Sequence, residues 1–540
     1  MMWRFIAKHT AKVILLGTLV GVSIYVTIFL LTKSMYVPAA MPLIGSGLIS
    51  YIFLSEKRYP LRWLVPGLIF LAVMVVYPIG YTFVSSFTNV GTGHMLSKEQ
   101  AIDQLLDRSF APEDAVTYSY VVFKNDADDI ALILEAEGER ILYVQGTASE
   151  IAPGDPRLVD DDGDGQPDRF SDYVRLSIPQ IVPLLSFLEP YRIDYNGTII
   201  GLHDLHEFRT REPIYVYDEA AGTMTNQQTG TAYSAVEGIF TNSNGDEIYP
   251  GYKVGIGLRN YFSLATNPQI SGPFAMVFGW TFVFATLTVL LNFALGLATA
   301  VLLNDPFLRF RTVYRVLMII PYALPAFVMI LVWRGMLNQH FGIINKMIIS
   351  AASMIDYAVN YIAVHVFNTT AVLFGDVAKI PWLSNGMMAK ISLLLLNLWL
   401  GYPYMMLISL GALQSIPASL YEASRVDGAS WWQQFWNITI PLLLMPLAPL
   451  LVGAFAFNFN NFTLIWLLTE GRPAIAGAAT PAGQTDILIS YTYRLAFEGA
   501  RGNQLGLAAA VSVMIFVVIA TISAINFRLT GTLEELSKNV

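Results

Sequence analysis

The sequence predicts a mainly α, polytopic membrane protein with about eight transmembrane helices and a β-rich domain inserted between the third and fourth of them. Three observations support this fold class. Of the 540 residues, 54% are hydrophobic and only 13% are charged, about half the charged fraction of an average soluble domain. The apolar residues form runs long enough to cross a bilayer, which takes about 20 residues per helix. Most of the acidic residues lie in one polar stretch that interrupts these runs.

Eight apolar runs give the predicted transmembrane helices. They are 13–32, 37–54, 63–87, 276–303, 312–334, 391–412, 441–468 and 504–527. The first run could be part of a signal peptide, but it lacks a small-x-small cleavage site and leads directly into the second run. We therefore expect an uncleaved membrane anchor.

Lysine and arginine in the short loops predict which side of the membrane each loop faces, because such residues are enriched on the cytoplasmic side. The basic clusters are Arg4, Lys8 and Lys12; Lys57, Arg58 and Arg62; Arg309, Arg311 and Arg315; and Arg528 and Lys538. All of them fall on one side if both termini are cytoplasmic. The polar stretch and residues 335–390 are then outside.

One acidic stretch separates the third and fourth spans. Residues 88–275 contain 29 acidic and 12 basic residues, a net charge of −17, whereas the rest of the chain has a net charge of +9. Strand-like alternation occurs at AVTYSYVVFK (115–124), ALILEAEGERILYVQG (131–146) and PIYVYDEAAGTMTNQQTG (213–230). A stretch of this length can bury its own core, so we expect a folded extracytoplasmic domain that binds a partner.

The predicted domain organisation follows from this interruption. Residues 1–87 form a membrane region with spans one to three, 88–275 form the outside domain, and 276–540 form the core with spans four to eight. The outside segment 341–390 contains one further apolar piece, MIDYAVNYIAVHVF (354–367). It is short and carries two ionisable residues, so we expect a surface or interfacial helix rather than a ninth span.

Two absences limit the chemistry. The chain contains no cysteine, which excludes disulfides and zinc–thiolate sites. It also contains no GxxxxGK[ST] phosphate loop, so we do not expect it to hydrolyse ATP itself.

A polar segment between spans six and seven, LYEASRVDGASWWQQFWNITIPLL (420–443), interrupts the apolar pattern. It contains a glycine, three tryptophans and the charged residues Glu422, Arg425 and Asp427. We predict a short helix that begins after Pro417 with Ser419 as its cap, a turn near Gly428, and a second amphipathic helix that ends at Pro441. The alternative is an ordinary loop with an interfacial aromatic belt.

The pattern E-A-S-x3-G, followed after nine residues by I-x-I-P, resembles the EAA motif in the permease subunits of bacterial ABC importers. Ser424 and Ile440 stand where that family usually has alanine and leucine. The resemblance implies that the loop 414–441 forms a coupling helix that docks in a cleft of a separate ATPase subunit. The ATPase-coupling residues implied in this way are Glu422, Ala423, Ser424, Asp427 and Gly428.

Further segments resemble the maltose/maltodextrin permeases of this family. They are LLDRSF (105–110), YRVLMIIPYALPAF (314–327), LWLGYPYMM (398–406), FAFNFNNF (455–462), TPAGQTD (480–486) and YTYRLAFEG (491–499). The resemblance implies the fold of a type I ABC importer permease. It covers most of the chain and is strongest from about residue 276 onward, whereas residues 341–390 are longer than the family's corresponding loop.

Three asparagines lie at membrane depth in the predicted span seven. Asparagine is costly there unless it pairs with another helix or a ligand. Phe457, Asn458 and Asn461 can share one helical face at i, i+1 and i+4, which suits a sugar site. The alternative is hydrogen bonding that holds helices together. In span six we expect Gly401 and Pro403 to break the helix and line a cavity.

The family resemblance implies the substrate-binding residues. They are Trp399, Leu400, Gly401, Tyr404, Phe457, Asn458 and Asn461. Ala454 departs from the serine expected one turn earlier, so one polar contact to the sugar is expected to be missing.

The segment VDDDGDGQPDRF (159–170) has the spacing of a calcium loop. Its D-x-D-x-D-G pattern is made by Asp160, Asp162, Asp164 and Gly165, with Asp168 following. Position twelve is Ser171 rather than glutamate, and the resemblance gives a metal no support. We favour a solvated acidic turn over a calcium site at 160–168.

Taken together, the residues and the resemblance predict a non-catalytic permease subunit of an ATP-driven, binding-protein-dependent importer of maltose or maltodextrins in a bacterial inner membrane. The chain would form half of the translocation pathway and hold no cofactor, because the partner ATPase uses the ATP. Expected partners are a second permease subunit (MalG-like), two ATPase subunits (MalK-like), a periplasmic maltose-binding protein, the sugar and membrane lipid, but no nucleic acid. The alternatives are a permease for another oligosaccharide, a secondary sugar symporter, which needs no EAA segment, and a membrane-anchored sensor.

Overall fold

A computed structural model describes residues 2–32, 36–152, 154–161, 163, 166–305, 307–367, 369–375, 377–499 and 502–538. The chain divides into two compact units, Met1–Ser86 and Phe87–Val540. The first unit is helical, and the second contains the β-rich domain together with the remaining helices.

The first unit consists of apolar helices. They are α1 (Met2–Thr32), α2 (Tyr36–Leu54), α3 (Leu61–Leu71) and α4 (Tyr77–Ser85), with a short 3₁₀ turn at Glu56–Arg58 and a π-helical turn at Ala72–Val76. Helices α1 and α2 pack together, and Thr27 Oγ1 donates a hydrogen bond to the carbonyl of Ala39 at 3.0 Å. The wider π turn lies just before Pro78, where proline lacks the N–H that a regular helical turn would use.

The acidic stretch folds as a β-rich domain, as predicted. Its strands are β1 (Ser109–Phe110), β2 (Thr117–Lys124), β3 (Ile130–Ala136), β4 (Glu139–Val144), β5 (Thr147–Glu150), β6 (Leu158–Val159), β7 (Arg169–Phe170), β8 (Tyr173–Arg175), β9 (Ile193–Tyr195), β10 (Thr198–Leu202), β11 (Glu207–Pro213), β12 (Tyr215–Asp218), β13 (Thr223–Asn226), β14 (Ala232–Val236), β15 (Ile239–Thr241) and β16 (Glu247–Ile248). Its helices are α5 (Lys98–Leu106), α6 (Ile178–Ile181) and α7 (Leu185–Leu188). Each of the three segments predicted from alternation contains strands.

Two antiparallel sheets build this domain. The larger has the order β5-β4-β3-β2-β11-β10-β9, and the smaller is a meander from β12 to β16. The larger sheet is buried on both faces, because alternate residues of β3 enter different cores: Leu132 and Leu134 on one side, Ala131 and Ile133 on the other. Side chains on a strand point alternately to its two faces, so the sheet is a folded core rather than a linker.

The remaining helices form the membrane core. They are α8 (Arg259–Thr266), α9 (Pro268–Asn304), α10 (Arg311–Ala323), α11 (Ala326–Met336), α12 (Ile343–Phe367), α13 (Gly386–Gln414), α14 (Ala418–Val426), α15 (Trp431–Gln434), α16 (Ile440–Phe459), α17 (Phe462–Thr469), α18 (Leu488–Phe497) and α19 (Leu505–Lys538), with a π-helical turn at Phe435–Thr439. In the described part of the chain, seven helices, α12 among them, are long and apolar enough to cross a bilayer, or eight if the bent pair α10–α11 counts as one span. The predicted fold class is confirmed.

Several predicted spans differ in detail. The second corresponds to a shorter apolar helix, Ala39–Leu54. The fifth is bent by 88° between α10 and α11, where Pro325 has no N–H to continue the helical hydrogen bonds. The apolar piece within 341–390 is not short: α12 contains 25 residues.

The expected break in span six is wrong, since α13 runs from Gly386 to Gln414 with Pro403 inside it. Lipid leaves the backbone no water to bond, so a transmembrane helix tolerates proline rather than unwinding. The break lies instead in span seven, where Asn460 is not helical and separates α16 from α17.

Candidate coupling loop and membrane site

The segment with the EAA pattern folds as the short helix α14 followed by a tight turn. The predicted cap is wrong: Pro417 is the N-terminal cap residue and Ser419 lies within the helix. At the other end, the N–H of Gly428 donates to the carbonyl of Arg425 and that of Ala429 donates to the carbonyl of Ser424. This pair of bonds is the Schellman motif. It requires a left-handed residue, and Gly428 has φ +80°, so the predicted turn at this glycine is confirmed.

Two hydrogen bonds join α14 to the helical segment that follows it. The Nε2 of Gln434 donates to Ser424 Oγ at 2.9 Å, and the hydroxyls of Tyr421 and Thr439 lie 3.0 Å apart. Alanine at position 424 could not accept the first bond. The serine that departs from the usual EAA pattern therefore joins α14 to the start of span seven.

Span seven begins earlier than predicted. Ser430 caps α15 in a reciprocal bond with Gln433, and the helix continues through the π turn into α16 without ending at Pro441. The N–H of Ile440 bonds to the carbonyl of Phe435, five residues back. As before Pro78 in the first unit, the π turn widens the helix one residue before a proline and accommodates its ring.

The outer surface of the coupling loop is exposed. Glu422, Ala423, Asp427 and Gly428 are exposed, and Ser424 is half-buried by the contact with Gln434. The side chain of Val426 is 89% exposed. An apolar side chain so exposed at the tip of a fixed helix suits contact with another protein.

Three asparagines connect three helices inside the membrane core. The Nδ2 of Asn292 on α9 donates to Asn397 Oδ1 on α13 at 3.3 Å, and the Nδ2 of Asn397 donates to Asn458 Oδ1 on α16 at 2.8 Å. Asn458 also donates to the carbonyl of Ala454 at 2.8 Å. The three side chains are only 3%, 6% and 6% exposed. Buried amides paired in this way hold helices together.

Gly401 makes room for this asparagine chain. A Cβ at this position would lie 2.5 Å from Asn292 Nδ2, closer than the atoms can approach. Glycine in α13 therefore allows close packing against α9 rather than a break in the helix.

The other predicted sugar-site residues lie in different environments. Trp399 packs against Trp333, with ring centroids 5.7 Å apart, and Tyr404 stacks against Tyr322 at 6.2 Å. Leu400 is half-buried, as is Asn461. The ring of Phe457 is 69% exposed.

The predicted shared helical face in span seven is wrong. Asn461 is not on the same helix as Phe457 and Asn458. It caps α17, where its Oδ1 accepts a hydrogen bond from the N–H of Leu464 at 3.3 Å. Asparagine side chains compete for backbone hydrogen bonds in this way. Asn461 therefore lies at the break between α16 and α17 and not on one helical face with Asn458.

Sequence reasoning missed Asn292 and Asn397. Both interrupt apolar runs, and an intramembrane polar residue is a signal for function or helix pairing. Because position 397 lies one turn before Gly401, its asparagine could have been considered together with the predicted site in span six.

Ion pairs lie beyond the end of span seven. Arg334 of α11 contacts Glu470 at 2.7 Å and lowers the pKa of that carboxyl through its hydrogen bond. Asp486 pairs with Arg494 at 3.1 Å and accepts hydrogen bonds from Ser490 and Gly483. Burial nevertheless raises the pKa of Asp486 to about 6. The first pair joins α11 to the end of α17, and the second joins α18 to the loop that precedes it.

The calcium-like sequence is only partly described, because Asp162, Asp164 and Gly165 lie outside the described residues. Asp168 Oδ2 accepts a hydrogen bond from the N–H of Asp161, and Asp160 Oδ1 accepts one from Gly163. Among the described residues, no group of three or more His, Asp or Glu side chains could hold a metal ion.

The chain has two matches to family models. Residues 292–530 match the family described as binding-protein-dependent transport system inner membrane component, and residues 69–148 match the N-terminal region of the transmembrane subunit in binding-protein-dependent ABC transporters. The fold and the coupling loop thus define a class, and the chain belongs to it: the inner-membrane permease subunits of binding-protein-dependent ABC importers.

The similarity is more particular than the class. The maltose/maltodextrin transport system permease protein MalF of Shigella flexneri is 37% identical over 536 residues, which cover 98% of this chain and 97% of that protein. MalF of Escherichia coli gives the same identity and coverage. MalF of Vibrio vulnificus is 36% identical over 547 residues, covering 98% and 96% of the two chains.

Proposed function

We propose that this chain is the permease subunit of an ATP-driven, binding-protein-dependent importer of maltose and maltodextrins. It forms half of the translocation pathway, and a second permease subunit (MalG-like) forms the other half. Two ATPase subunits (MalK-like) supply the energy and a periplasmic maltose-binding protein supplies the sugar. The similarity to MalF proteins over nearly the whole chain supports the choice of sugar.

The observation that carries the proposal is the coupling helix α14. It is short, exposed, closed by a Schellman turn and bonded through Ser424 to the start of span seven. A force applied to α14 by a moving ATPase is therefore passed to α16, the helix that carries Phe457 and Asn458. The chain itself needs neither a catalytic residue nor a cofactor for this role, because ATP is hydrolysed on the partner.

The orientation follows from the same helix. The coupling loop meets a cytoplasmic ATPase, so α13 enters the membrane from outside and α16 leaves towards the outside. The β-rich domain then lies in the periplasm, and both termini lie in the cytoplasm, in agreement with the distribution of lysine and arginine. We assign residues 88–275 to the periplasmic domain and the acidic turn at 159–170 to its surface, without calcium.

The proposed sugar site lies where α13 and α16 meet. Trp399, Tyr404 and Phe457 offer aromatic faces for the apolar side of a pyranose ring, and Asn458 and Asn461 offer amides for its hydroxyls. Leu400 and Gly401 belong to the same part of α13. In this conformation Asn458 is paired with Asn397, so binding sugar requires Asn458 to exchange that bond or to use its second donor hydrogen.

The test is transport by the purified complex in vesicles. Radiolabelled maltose should enter only when ATP, the ATPase subunits and the binding protein are all present. Uptake driven by an ion gradient without ATP would indicate a symporter and refute the proposal. Unlabelled maltodextrins should compete for uptake. If another oligosaccharide competes and maltose does not, the permease assignment stands and the choice of sugar is wrong.

A further inference from the structure

Helix α12 and the segment that follows it form a hairpin that the proposed transport function does not use. The side chain of Asn345, near the start of α12, donates to the carbonyl of Ile380 at 2.9 Å and accepts from the indole N–H of Trp382 at 3.0 Å. Further along, Asp356 accepts hydrogen bonds from the N–H groups of Leu373, Phe374 and Gly375 at 2.8–2.9 Å. Near the end of α12, Asn360 accepts one from Ala371. The described part of 369–380 thus returns along α12 towards its beginning.

One face of α12 makes all of these contacts. Positions 345, 352, 356, 360 and 363 lie within about 80° of one another on a helix with 3.6 residues per turn. Asn345, Ala352 and Ala363 on this face are buried. The return segment therefore covers this face of α12.

The opposite face of α12 is exposed and mainly apolar, with Ser350 and His365 as its polar residues. Met347 and Met354 are 64% and 71% exposed, and Tyr361 is 54% exposed. The 24-residue stretch Ile343–Val366 has a mean hydropathy of 1.5, the lowest among the seven helices of the described chain that are apolar enough to cross a bilayer. No acidic residue of α12 lies on the exposed face, because its one carboxylate, Asp356, holds the return segment.

Both ends of the hairpin lie at the extracytoplasmic end of the core. Six residues separate α12 from α11, whose Arg334 contacts Glu470 at the end of span seven that is far from the coupling loop. Asn345 bonds to residues just before α13, which begins at the end opposite to the coupling loop. This step rests on the proposed function in one respect, namely that the coupling loop is cytoplasmic.

The hairpin cannot cross the bilayer from this position. If α12 crossed, the return segment would have to cross back without helical or sheet hydrogen bonds, and an irregular backbone exposed to lipid is not tolerated. Lys379 and Phe374 of the return segment are exposed, so no other protein segment in the described chain encloses it. The alternation of sides from α10 to α13 also requires an even number of crossings here.

We propose that α12 lies in the plane of the outer leaflet, with its apolar face in lipid and Lys379 of the return segment facing water. A lipid surface fits this face because α11, the helix that precedes α12, also exposes apolar side chains, with Phe327 and Leu331 57% and 47% exposed. Tyr357 and Tyr361 have the amphipathic rings that concentrate at membrane–water interfaces. Helices that lie in this way bury their apolar face about 5–10 Å into the boundary between headgroups and acyl chains.

The chain offers a direct test because it contains no cysteine. Single cysteines at Met347, Met354 and Tyr361 report the apolar face, and Lys379→Cys on the return segment is the matched control. Each variant is labelled with a nitroxide in the full complex, with cysteine-free partner subunits, and reconstituted in phospholipid nanodiscs. Collisions with oxygen, which concentrates in lipid, are compared with collisions with a water-soluble nickel chelate.

The proposal requires that the three labels on α12 favour oxygen and give similar depths, while the label at position 379 favours nickel. Nickel access at position 354 equal to that at 379 would place the face in water and overturn it. Protection from both reagents would show that another protein covers the face, and depths that increase steadily along α12 would show a crossing helix. The readout does not depend on sugar or ATP, so it is independent of the transport test that decides the proposed function.

Discussion

The pair Asn397–Asn458 separates the two roles proposed for asparagine in this permease. Its 2.8 Å hydrogen bond joins α13 to α16 inside the core. Replacing either residue by alanine removes the same bond, which in membrane proteins averages about 0.6 and reaches about 1.7 kcal/mol. Both variants should therefore lose a similar, modest amount of stability. Each variant also loses a second bond, the one from Asn292 in Asn397→Ala and the one to the carbonyl of Ala454 in Asn458→Ala.

Transport should respond differently to the two substitutions. If Asn458 also bonds the sugar, Asn458→Ala leaves a sugar hydroxyl unpaired in a desolvated site, a loss of about 1–3 kcal/mol. At about 1.4 kcal/mol per factor of ten, transport efficiency falls about 5- to 150-fold. Asn397→Ala touches no sugar in the proposed site, so its transport should stay within a few-fold of that of the unaltered protein.

The assay measures three quantities for the two variants and their double mutant in vesicles: maltose uptake, ATPase activity stimulated by the binding protein, and thermal unfolding in detergent. The unfolding effects of the single variants should not add, because either one already breaks the shared bond. All variants should assemble and retain stimulated ATPase activity. Equal transport losses in Asn397→Ala and Asn458→Ala, in proportion to their loss of stability, would show that Asn458 only joins helices, and the sugar-binding assignment would fail.

Four further predictions concern other parts of the chain. Glu422→Ala and Gly428→Ala should each reduce sugar uptake relative to ATP hydrolysis. Gly428→Ala should do so because alanine is strained at φ +80°. Normal uptake in both assembled variants would refute the coupling assignment. Arg494→Leu should lower the free energy of unfolding by about 3–5 kcal/mol, since it leaves the carboxylate of Asp486 buried without its cation. Asp486→Asn should lower it by less. Equal melting temperatures for the two variants would contradict this. The raised pKa of Asp486, about 6, means that the folded protein holds a proton that the unfolded chain releases near pH 4. The contribution of this group to the unfolding free energy should therefore decrease as the pH rises from about 4 to 6, and this decrease should be absent in Asp486→Asn. Deleting residues 92–270 should leave the spans able to insert but weaken engagement of the binding protein, as measured by its affinity for the complex; unchanged affinity would show that the domain has another role.

Local patterns were enough to predict much of this fold. The apolar runs predicted a polytopic helical protein, because crossing lipid is a property of each segment by itself. Period-two alternation predicted strands at 115–124, 131–146 and 213–230, and the structure has strands in each. The turn at Gly428 was also predictable, since a left-handed helix end depends mainly on the residue at that position.

The details of the membrane core depended on contacts between distant residues. Gly401 and Pro403 indicated a broken helix, yet α13 is continuous, because Gly401 accommodates Asn292 from a different helix. The asparagines near 460 indicated one polar face, yet two of them take up backbone hydrogen bonds where α16 ends and α17 begins. Neither outcome can be derived from the neighbouring sequence alone.

The sequence by itself therefore determined the class of protein, the position of the β-rich domain and the coupling loop, all of which depend on composition, periodicity or short motifs. Only the tertiary structure decided what the buried amides do. Asn292 lies 105 residues from Asn397 in the chain, and Asn397 lies 61 residues from Asn458. An amide in lipid must find a partner, but the choice among partners so distant in sequence is made by which helices pack together.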